Sequence, residues 1–579
     1  MEGAVVLSVL NAKYVHASPA PWCLAAGIKA YAPEFYDRVR VLEYTVNQPF
    51  ADIIKQIVSV APAVVGFSSY IWNMDATLAL CAALKQALPE LITVLGGPEV
   101  SYRATDVLKS NTQVDYILAG EGEESVPAFL RVVLAQSRSE HLPIEVQQRI
   151  AGLCGRRADG TIYEGEPCAL NMHVPSPLTA GYAEALQGRI AYFETSRGCP
   201  YSCAFCLSGR CSVPRTFELD AVLKDLLRLA NSGTRTVKFV DRTFNAHAAH
   251  ANHILQFILT HYGNDIPTGT CFHFEIAGDI LREETLELLR QMPVGAVQLE
   301  IGIQSFCERT LEAVNRKTDT AILQANIRRL VAMGNMHIHI DLIAGLPYED
   351  LTVFAEGFNK GYALKAQMLQ LGFLKLLHGS AMRSHPQAYP CDFDRNAPYE
   401  VRATPWLSEQ DTELLHHTEH AVNRVYNSGR FRLTADYVLR ASGQTPFDFY
   451  TALGFWAHNA GVHAYTSLDD YTAVLQEYCA SLHTVDDQTL RDYLVRDRLS
   501  HNSTGRLPPC LHRQDALVAK VTKRLAASPA TAPQKGVRRG IALLYGAQAV
   551  CWVDYCPKER NPITGRWVLH EMPLSAILA

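Results

Sequence analysis

Short apolar runs alternate with helical stretches along two separate parts of this chain. In residues 1–135 the runs are AVVLSVL, RVRVLEY, AVVGFSS, LITVLGG and VDYILAGEG, and segments such as TLALCAALKQALPE lie between them. Alternation of this kind is typical of a parallel sheet with helices on both faces. We therefore expect an α/β protein that begins with a doubly wound parallel sheet.

The same alternation returns over residues 189–385. The six strand candidates there are RIAYFET, TVKFVD, TCFHFEIAG, AVQLEIGIQS, HIHIDLIAGLP and LQLGFLKLL. Six such units predict a partial (β/α)6 barrel, open on one side, with its chemistry at the carboxyl ends of the strands by analogy with complete barrels. Residues 136–188 show no clear period and are interpreted as a linker. The pattern after about residue 386 predicts a mostly helical third domain over residues 386–579.

Length and charge limit the class of protein. A chain of 579 residues is too long for a single core. Lys and Arg total 53 and Asp and Glu total 58, so the net charge is −5 and no basic field indicates nucleic acid. The sequence has no membrane-spanning apolar run and no basic leader, which predicts a cytoplasmic protein. Its fifteen cysteines are then expected to be reduced thiols or metal ligands.

Three cysteines follow the first strand candidate of the second region, in the stretch ETSRGCPYSCAFC. Cys199, Cys203 and Cys206 lie in a loop where Gly198 and Pro200 break regular structure. A structural zinc site needs four nitrogen or sulfur ligands, and a closed four-iron cluster needs four thiolates. Three thiolates would leave one iron of such a cluster open to a small molecule. The alternatives are three unrelated buried thiols and a zinc site completed by a histidine.

The C-x3-C-x2-C loop resembles that of the radical S-adenosylmethionine (SAM) superfamily. The resemblance implies a 4Fe-4S cluster on the three cysteines, with the amino and carboxylate groups of SAM on the open iron. It also implies SAM contacts for Phe205 near the adenine, Asp241 near the amino group, and Glu300 and Gln304 at the ribose and carboxylate. The alternative for a single acidic residue at a strand end is a solvated turn residue, which is about as common as a ligand contact.

The first region lacks both G-x-G-x-x-G and G-x4-G-K-[ST], which disfavours the usual modes of nucleotide binding. Its stretches GFSSYIWN, LGGPEVS and GEGEES, placed before the SAM region, resemble the cobalamin-binding domain of cobalamin-dependent radical SAM enzymes. That resemblance implies cobalamin with its nucleotide tail in the crevice at the carboxyl edge of the sheet. The residues assigned to cobalamin are Asn11, Tyr14, His16, Ser68, Ser69, Tyr70, Trp72, Gly96, Gly97, Glu121 and Gly122.

The lower face of cobalt is a separate question. The better known cobalamin motif D-x-H-x-x-G, whose histidine replaces the lower base, does not occur in this sequence. His16 lies in the first strand-to-helix loop, although a lone loop histidine is more often a surface group than a ligand. We expect base-off cobalamin with no strong protein ligand. Tyr70 and Trp72 offer flat apolar faces to the corrin, or are ordinary aromatic residues of the core or rim.

The last third of the chain resembles an uncharacterised domain found after this pair of domains, on the stretches APYEVRATPWLSEQD and VYNSGRF. The resemblance implies no activity for it. Cys510, His512, Cys551 and Cys556 could form a second metal site, but their irregular spacing favours buried thiols.

Together these resemblances imply an enzyme with a 4Fe-4S cluster, SAM and cobalamin as cofactors. The favoured activity is methyl transfer to an unactivated carbon, in which a 5′-deoxyadenosyl radical abstracts hydrogen and methylcobalamin donates the methyl group. The alternatives are rearrangement, cyclisation or electron transfer by the same cofactors, and a protein that senses cobalamin or redox state. The substrate would be a small molecule, a peptide or an RNA, and the electron donor a flavodoxin or ferredoxin. No catalytic side chain is assigned.

Overall fold

The computed structural model describes residues 3–135, 142, 148–165, 173–208 and 213–579. The chain forms two compact units. The first comprises Met1–Ala277, Arg282–Gln291 and Lys375–Glu400, and the second comprises Gly278–Leu281, Met292–Leu374 and Val401–Ala579. Within the described ranges, no helix combines the length and hydropathy that a membrane span requires.

The first sheet has the strand order β2-β1-β3-β4-β5-β6-β7. Its strands are β1 (Ala4–Asn11), β2 (Val39–Thr45), β3 (Pro62–Ser68), β4 (Ile92–Gly96), β5 (Tyr116–Leu118), β6 (Leu153–Arg156) and β7 (Ile162–Glu164). Strands β1 to β5 are parallel, and β6 and β7 are antiparallel. The order reverses between β1 and β3, and open α/β sheets bind ligands outside the carboxyl ends of the strands at such a point.

Helices cover both faces of this sheet, so the predicted doubly wound arrangement is confirmed. They are α1 (Ala20–Tyr31), α2 (Phe50–Ser59), α3 (Met74–Ala87), α4 (Ala104–Ser110) and α5 (Gly122–Val133). One core contains Leu10 and Leu95 together with side chains of α2, α3 and α4. The core on the other face contains Leu7 and Val64 with side chains of α1 and α5.

Strands β6 and β7 lie in the segment interpreted as a linker. They have four and three residues, which is too short to show a period in the sequence. Residues 136–141, 143–147 and 166–172 of that segment are outside the described residues.

The central sheet is parallel, with the order β15-β14-β13-β12-β11-β8, and it confirms the six predicted strands. The strands are β8 (Ala191–Phe193), β11 (Thr236–Phe239), β12 (Cys271–Ile276), β13 (Val297–Gln304), β14 (His337–Ala344) and β15 (Met368–Phe373). A short antiparallel pair, β9 (Ser196–Arg197) and β10 (Arg215–Thr216), follows β8.

Seven helices of the central region are described, and one of them has a typical capping residue at each end. They are α6 (Leu219–Ala230), α7 (Ala248–His261), α8 (Glu283–Gln291), α9 (Glu308–Ala313), α10 (Thr320–Met333), α11 (Leu351–Ala363) and α12 (Ala381–Ser384). The carboxylate of Asp319 accepts backbone N–H groups at the start of α10. Gly334 ends α10 with a φ of +67°, in the left-handed region that favours glycine.

The remainder is mostly helical, as predicted. Its elements are β16 (Asp392–Phe393), β17 (Val401–Ala403), α13 (Glu409–Val422), α14 (Arg432–Ser442), α15 (Pro446–Asn459), α16 (Leu468–Ala480), α17 (Asp487–His501), α18 (Ala516–Ala527), β18 (Arg539–Leu544), β19 (Ala549–Asp554), β20 (His570–Pro573) and α19 (Leu574–Leu578). Strands β18, β19 and β20 form an antiparallel sheet that the helical interpretation missed. Cys551 is buried on β19 as predicted, whereas Cys510 is exposed and Cys556 half-buried, so the buried-thiol interpretation fails for Cys510.

Candidate functional site

The loop that carries the three predicted cluster ligands follows β9 directly. Gly198 has a φ of +104°, which lets the chain turn out of the strand toward Cys199. Cys199 and Cys203 are each 7% exposed, and Cys206 is half-buried. All three cysteines are in the reduced form, and the Cys206 N–H donates to the Cys203 carbonyl at 3.0 Å. This set of donors fits a four-iron cluster with one open iron.

A buried carboxylate holds the strand that enters this loop. Asp241, 1% exposed, accepts hydrogen bonds from the Thr195 N–H at 3.0 Å, the Thr195 hydroxyl at 2.7 Å and the Ser196 hydroxyl at 2.5 Å. Burial raises the pKa of Asp241 to about 6, against the lowering effect of these hydrogen bonds. Asp241 thus supports the loop from within the protein, and its contact with SAM stays a prediction.

The Asp241→Asn variant is expected to lose cluster iron and to unfold at a lower temperature. The amide nitrogen of asparagine would face donors that now point at a carboxylate oxygen, and hydrogen bonds to a charged group contribute about 1.5–3 kcal/mol each. Iron content and the thermal unfolding midpoint measure the effect. Asp115→Asn is the matched control, because Asp115 accepts from the N–H and hydroxyl of Thr93 in the first sheet. Equal iron loss in both variants would contradict a local role for Asp241.

The other predicted SAM residues lie on two different elements. Phe205 is half-buried in the loop itself. Glu300 and Gln304 are on β13 in the second unit, where Gln304 has a φ of +70° at a register shift. A Cβ atom on Gly302 would lie 2.0 Å from Gln304 Nε2, so the Gln304 amide covers Gly302. The structure therefore brings Glu300 and Gln304 onto one face of β13, and their SAM contacts stay predictions.

A cavity of about 750 Å³ opens at the carboxyl edge of the first sheet, within the first unit. Its volume is in the range of small-molecule sites. Leu7, Val94 and Leu118 of the sheet form part of its apolar wall, and Arg197 and Gly198 also line the cavity. Six of the residues assigned to cobalamin line it, namely Ser68, Tyr70, Gly96, Gly97, Glu121 and Gly122. The cavity therefore connects the crevice of the first sheet with the residues that precede Cys199.

Three glycines at this edge differ in what they leave room for. Gly97 has a φ of +104°, and a Cβ atom there would lie 2.6 Å from the Ser69 carbonyl oxygen. A Cβ atom on Gly122 would lie 2.4 Å from Leu24 Cδ2. The backbone therefore requires glycine at position 97, whereas a side chain at position 122 would have to displace the end of the Leu24 side chain. A Cβ atom on Gly96 would have one neighbour, the Leu118 carbonyl oxygen at 3.4 Å. This position therefore tolerates a side chain.

Five residues assigned to cobalamin do not line the cavity: Asn11, Tyr14, His16, Ser69 and Trp72. The Asn11 amide donates to Glu43 at 2.9 Å. Ser69 is fully buried, and Tyr14 is 75% exposed. Trp72 stacks on Tyr70 with ring centroids 4.4 Å apart and extends the aromatic surface beyond the cavity. Their contacts with cobalamin stay predictions.

An ion-pair network that the sequence interpretation missed lies in the wall of the cavity. The Arg197 guanidinium pairs with Glu121 at 2.8 Å, Glu123 at 2.9 Å and Glu194 at 2.8 Å, and Arg215 also pairs with Glu121. Burial alone would lower the pKa of Arg197, but Glu194 and Glu123 raise it above its usual value. The one sequence feature that pointed to this network is that Arg197 directly precedes Gly198 and the cysteine loop. The network ties the start of α5 to the strand that enters the cysteine loop.

Cys23 is a thiol in the same wall that the sequence did not single out. Burial raises its pKa above the usual value, and the nearby Glu123 carboxylate raises it further. The thiol is therefore expected to stay protonated at neutral pH, and thiols of this kind are less reactive than thiolates.

Comparison with protein families separates the chain into three matched regions. Residues 8–130 match the B12 binding domain, residues 193–356 match the Radical SAM superfamily, and residues 387–532 match DUF4080, a domain of unknown function.

Two curated relatives are similar to this chain at low sequence identity. The cobalamin-dependent radical SAM methyltransferase TokK of Streptomyces tokunonensis is 26% identical over 52% of this chain and 45% of its own length. The hopanoid C-3 methylase of Methylococcus capsulatus is 25% identical over 48% of this chain and 52% of its own length. The matched part thus spans about half the length of these relatives.

A solved structure is similar over more of the chain. The cobalamin-dependent SAM radical enzyme OxsB, with aqua-cobalamin and SAM bound, has a TM-score of 0.58 over 86% of this chain and 79% of its own. At 14% sequence identity this likeness shows the fold.

Proposed function

Because this chain joins a B12-binding domain, a radical SAM domain and a DUF4080 domain, and so belongs to the cobalamin-dependent radical SAM family, we propose that it transfers a methyl group to an unactivated carbon. Its cofactors are a 4Fe-4S cluster, SAM and cobalamin. The observation that carries the proposal is the cavity that reaches from the edge of the first sheet to the residues before Cys199. The names of both curated relatives describe methyl transfer.

The residues of this chain would hold and orient the cofactors. Cys199, Cys203 and Cys206 would hold the cluster, and the cavity lining would hold cobalamin. When bound, the cofactors supply a radical that removes hydrogen from the substrate and the methyl group that replaces it. The apolar wall of the cavity would exclude water from this chemistry. A reductant such as flavodoxin or ferredoxin would supply electrons, and the enzyme would act in the cytoplasm.

His16→Ala is expected to leave the base-off spectrum of bound cobalamin unchanged. His16 Nδ1 lies 2.6 Å from the Tyr192 hydroxyl, and burial lowers the pKa of the imidazole. Its loss should cost about 1 kcal/mol of stability, as for one hydrogen bond. Tyr192→Phe removes the same hydrogen bond and keeps the imidazole, so it serves as the matched control. Nitrogen hyperfine splitting of the cobalt electron paramagnetic resonance signal that is lost only in His16→Ala would make His16 a ligand.

The proposed activity is tested by anaerobic reconstitution with iron, sulfide, cobalamin and SAM, followed by mass analysis of metabolite, peptide and RNA pools. A product whose mass shows that one hydrogen has been replaced by a methyl group supports methyl transfer. A product of changed structure without that mass gain would mean rearrangement, cyclisation or electron transfer instead. SAM cleavage under reduction would exclude the alternative of a protein that senses cobalamin or redox state.

A further inference from the structure

A cavity of about 220 Å³ lies in the carboxyl-terminal region, entirely within the second unit. Three helices and their adjoining turns line it: the turn before α14, the start of α16, and the carboxyl-terminal half of α17 with the residues that follow. The lining residues lie between positions 430 and 503, inside the region that matches a domain of unknown function. The proposed methyl transfer makes no use of this cavity.

The stretch VYNSGRF ends in Arg430 and Phe431, which form one side of the cavity. Gly429 has a φ of +71°, in the left-handed region that favours glycine, so the chain turns just before Arg430. The buried Asp497 carboxylate of α17 accepts two backbone N–H groups at the start of α14, at 3.3 and 2.8 Å. The turn and this cap together place Arg430 and Phe431 beside α17.

Several polar groups of the lining are already paired. The Asp497 carboxylate, besides capping α14, forms an ion pair with Arg566. Arg498 pairs with Asp469 at 2.8 Å and donates to a backbone carbonyl at 3.1 Å. The Thr472 hydroxyl donates to a carbonyl of its own helix at 2.7 Å. Asp497 is the one carboxylate among the described residues that line the cavity, and its charge is compensated, so a metal cation has no ligand here.

Three other groups of the lining can still donate hydrogen bonds. Arg430 and Ser503 are exposed, and the guanidinium and the hydroxyl have no hydrogen-bond or ion-pair partner in the described part of the chain. Asn502 Oδ1 accepts the Thr504 N–H at 2.9 Å, which leaves the Asn502 Nδ2 amide able to donate elsewhere. A ligand that satisfies this set must accept hydrogen bonds.

His501, the last residue of α17, adds no charge to the wall. Neither ring nitrogen makes a hydrogen bond with a described residue, although the carbonyl groups of Asp497 and Thr564 lie near the ring. Burial, followed by the nearby Arg566 cation, lowers the pKa of the imidazole to about 4, so the ring is neutral at neutral pH. The uncompensated charge of this cavity is therefore that of Arg430.

We propose that this cavity binds a small organic acid, whose carboxylate or phosphate group accepts hydrogen bonds from Arg430, Asn502 and Ser503. Hydrogen bonds between an arginine and such an oxyanion are about twice as strong as those between neutral groups. Phe431 and Leu494 form an apolar part of the wall, against which a short hydrocarbon part of the ligand would lie. The volume is below the roughly 300–1,000 Å³ of drug-sized sites, which limits the ligand to a small molecule.

The test titrates the full-length protein with three probes of similar shape, isovalerate, isobutyl phosphate and the neutral isovaleramide, at one ionic strength set with chloride. Titration calorimetry measures the affinity for each probe. We expect saturable binding of at least one of the two acids and much weaker binding of the amide, and the acid that binds more tightly identifies the head group. If neither acid binds, or if the amide binds as tightly as the acids, the proposal is overturned.

Two variants localise the binding. Arg430→Gln should weaken the affinity for the bound acid about tenfold or more, as expected for loss of a charged hydrogen-bond partner. Its circular dichroism should not change, because Arg430 has no partner in the described part of the chain to lose. Arg440→Gln is the matched control, since Arg440 is an exposed arginine near the end of α14 that does not line the cavity. Full affinity in Arg430→Gln, or an equal loss in both variants, would refute the site.

Discussion

Simultaneous replacement of Cys199, Cys203 and Cys206 by alanine is expected to abolish iron and sulfide binding and all SAM cleavage. Under the proposed assignment these thiolates are the protein ligands of the cluster, so the variant has nothing to hold it. The first sheet should stay folded, because its two hydrophobic cores consist of side chains from the amino-terminal strands and helices and include none of the three cysteines. Iron and sulfide content, and 5′-deoxyadenosine formed under reduction, measure the loss.

The matched control replaces two other cysteines, Cys510 and Cys556, which are exposed and half-buried in the carboxyl-terminal region. This double variant should keep its iron and its SAM cleavage. A cluster that still cleaves SAM in the triple variant would refute the assignment of the three cysteines.

Gly96→Val is expected to weaken cobalamin binding about tenfold or more while cluster assembly stays normal. Gly96 is on β4, two residues after Val94, and both line the cavity, so the new side chain points into it. Overpacking of a filled site costs about 1–3 kcal/mol. Binding is measured by the absorption of cobalamin retained after gel filtration. Bulky substitutions at Gly97 or Gly122 should also weaken cobalamin binding, and at Gly97 the positive φ and the nearby Ser69 carbonyl would strain the backbone as well.

Gly372→Val on β15 is the control for this experiment. A Cβ atom on Gly372 would lie 3.4 Å from the Leu342 carbonyl oxygen. A Cβ atom on Gly96 would likewise lie 3.4 Å from one carbonyl oxygen, that of Leu118. Its cobalamin content should match that of the unchanged protein. Normal cobalamin binding by Gly96→Val would mean that the cavity is not the cobalamin site.

Several parts of the fold followed from periodicity alone. Parallel strands buried on both faces are continuous apolar runs, so β1, β3 and β4 were visible in the sequence, as were the longer strands of the central sheet. Strands β6 and β7, of four and three residues, have no such signal, because pairing with a neighbour stabilises them. The same holds for the antiparallel strands β18 to β20, which a mostly helical pattern concealed.

The candidate site also has features that local sequence predicted and features that depend on tertiary contacts. The spacing of the three cysteines indicated a cluster because the ligands lie within eight residues of one another. The crevice residues Ser68, Gly96 and Glu121 were predicted because parallel strands end at a common edge. The side-chain partners were not predictable: Asp241 supports Thr195 and Ser196 from another strand, and Arg197 pairs with Glu121 and Glu123.

The sequence by itself determined the order of the domains, the parallel sheets and the cysteine loop, because each depends on residues that are close together in the chain. Only the tertiary structure decided which polar groups meet. Asn11 bonds to Glu43, His16 to Tyr192, and Glu300 lies opposite His339, although each pair is far apart in sequence. Strand register and helix packing determine such pairs, and these arise from the burial of many apolar side chains at once.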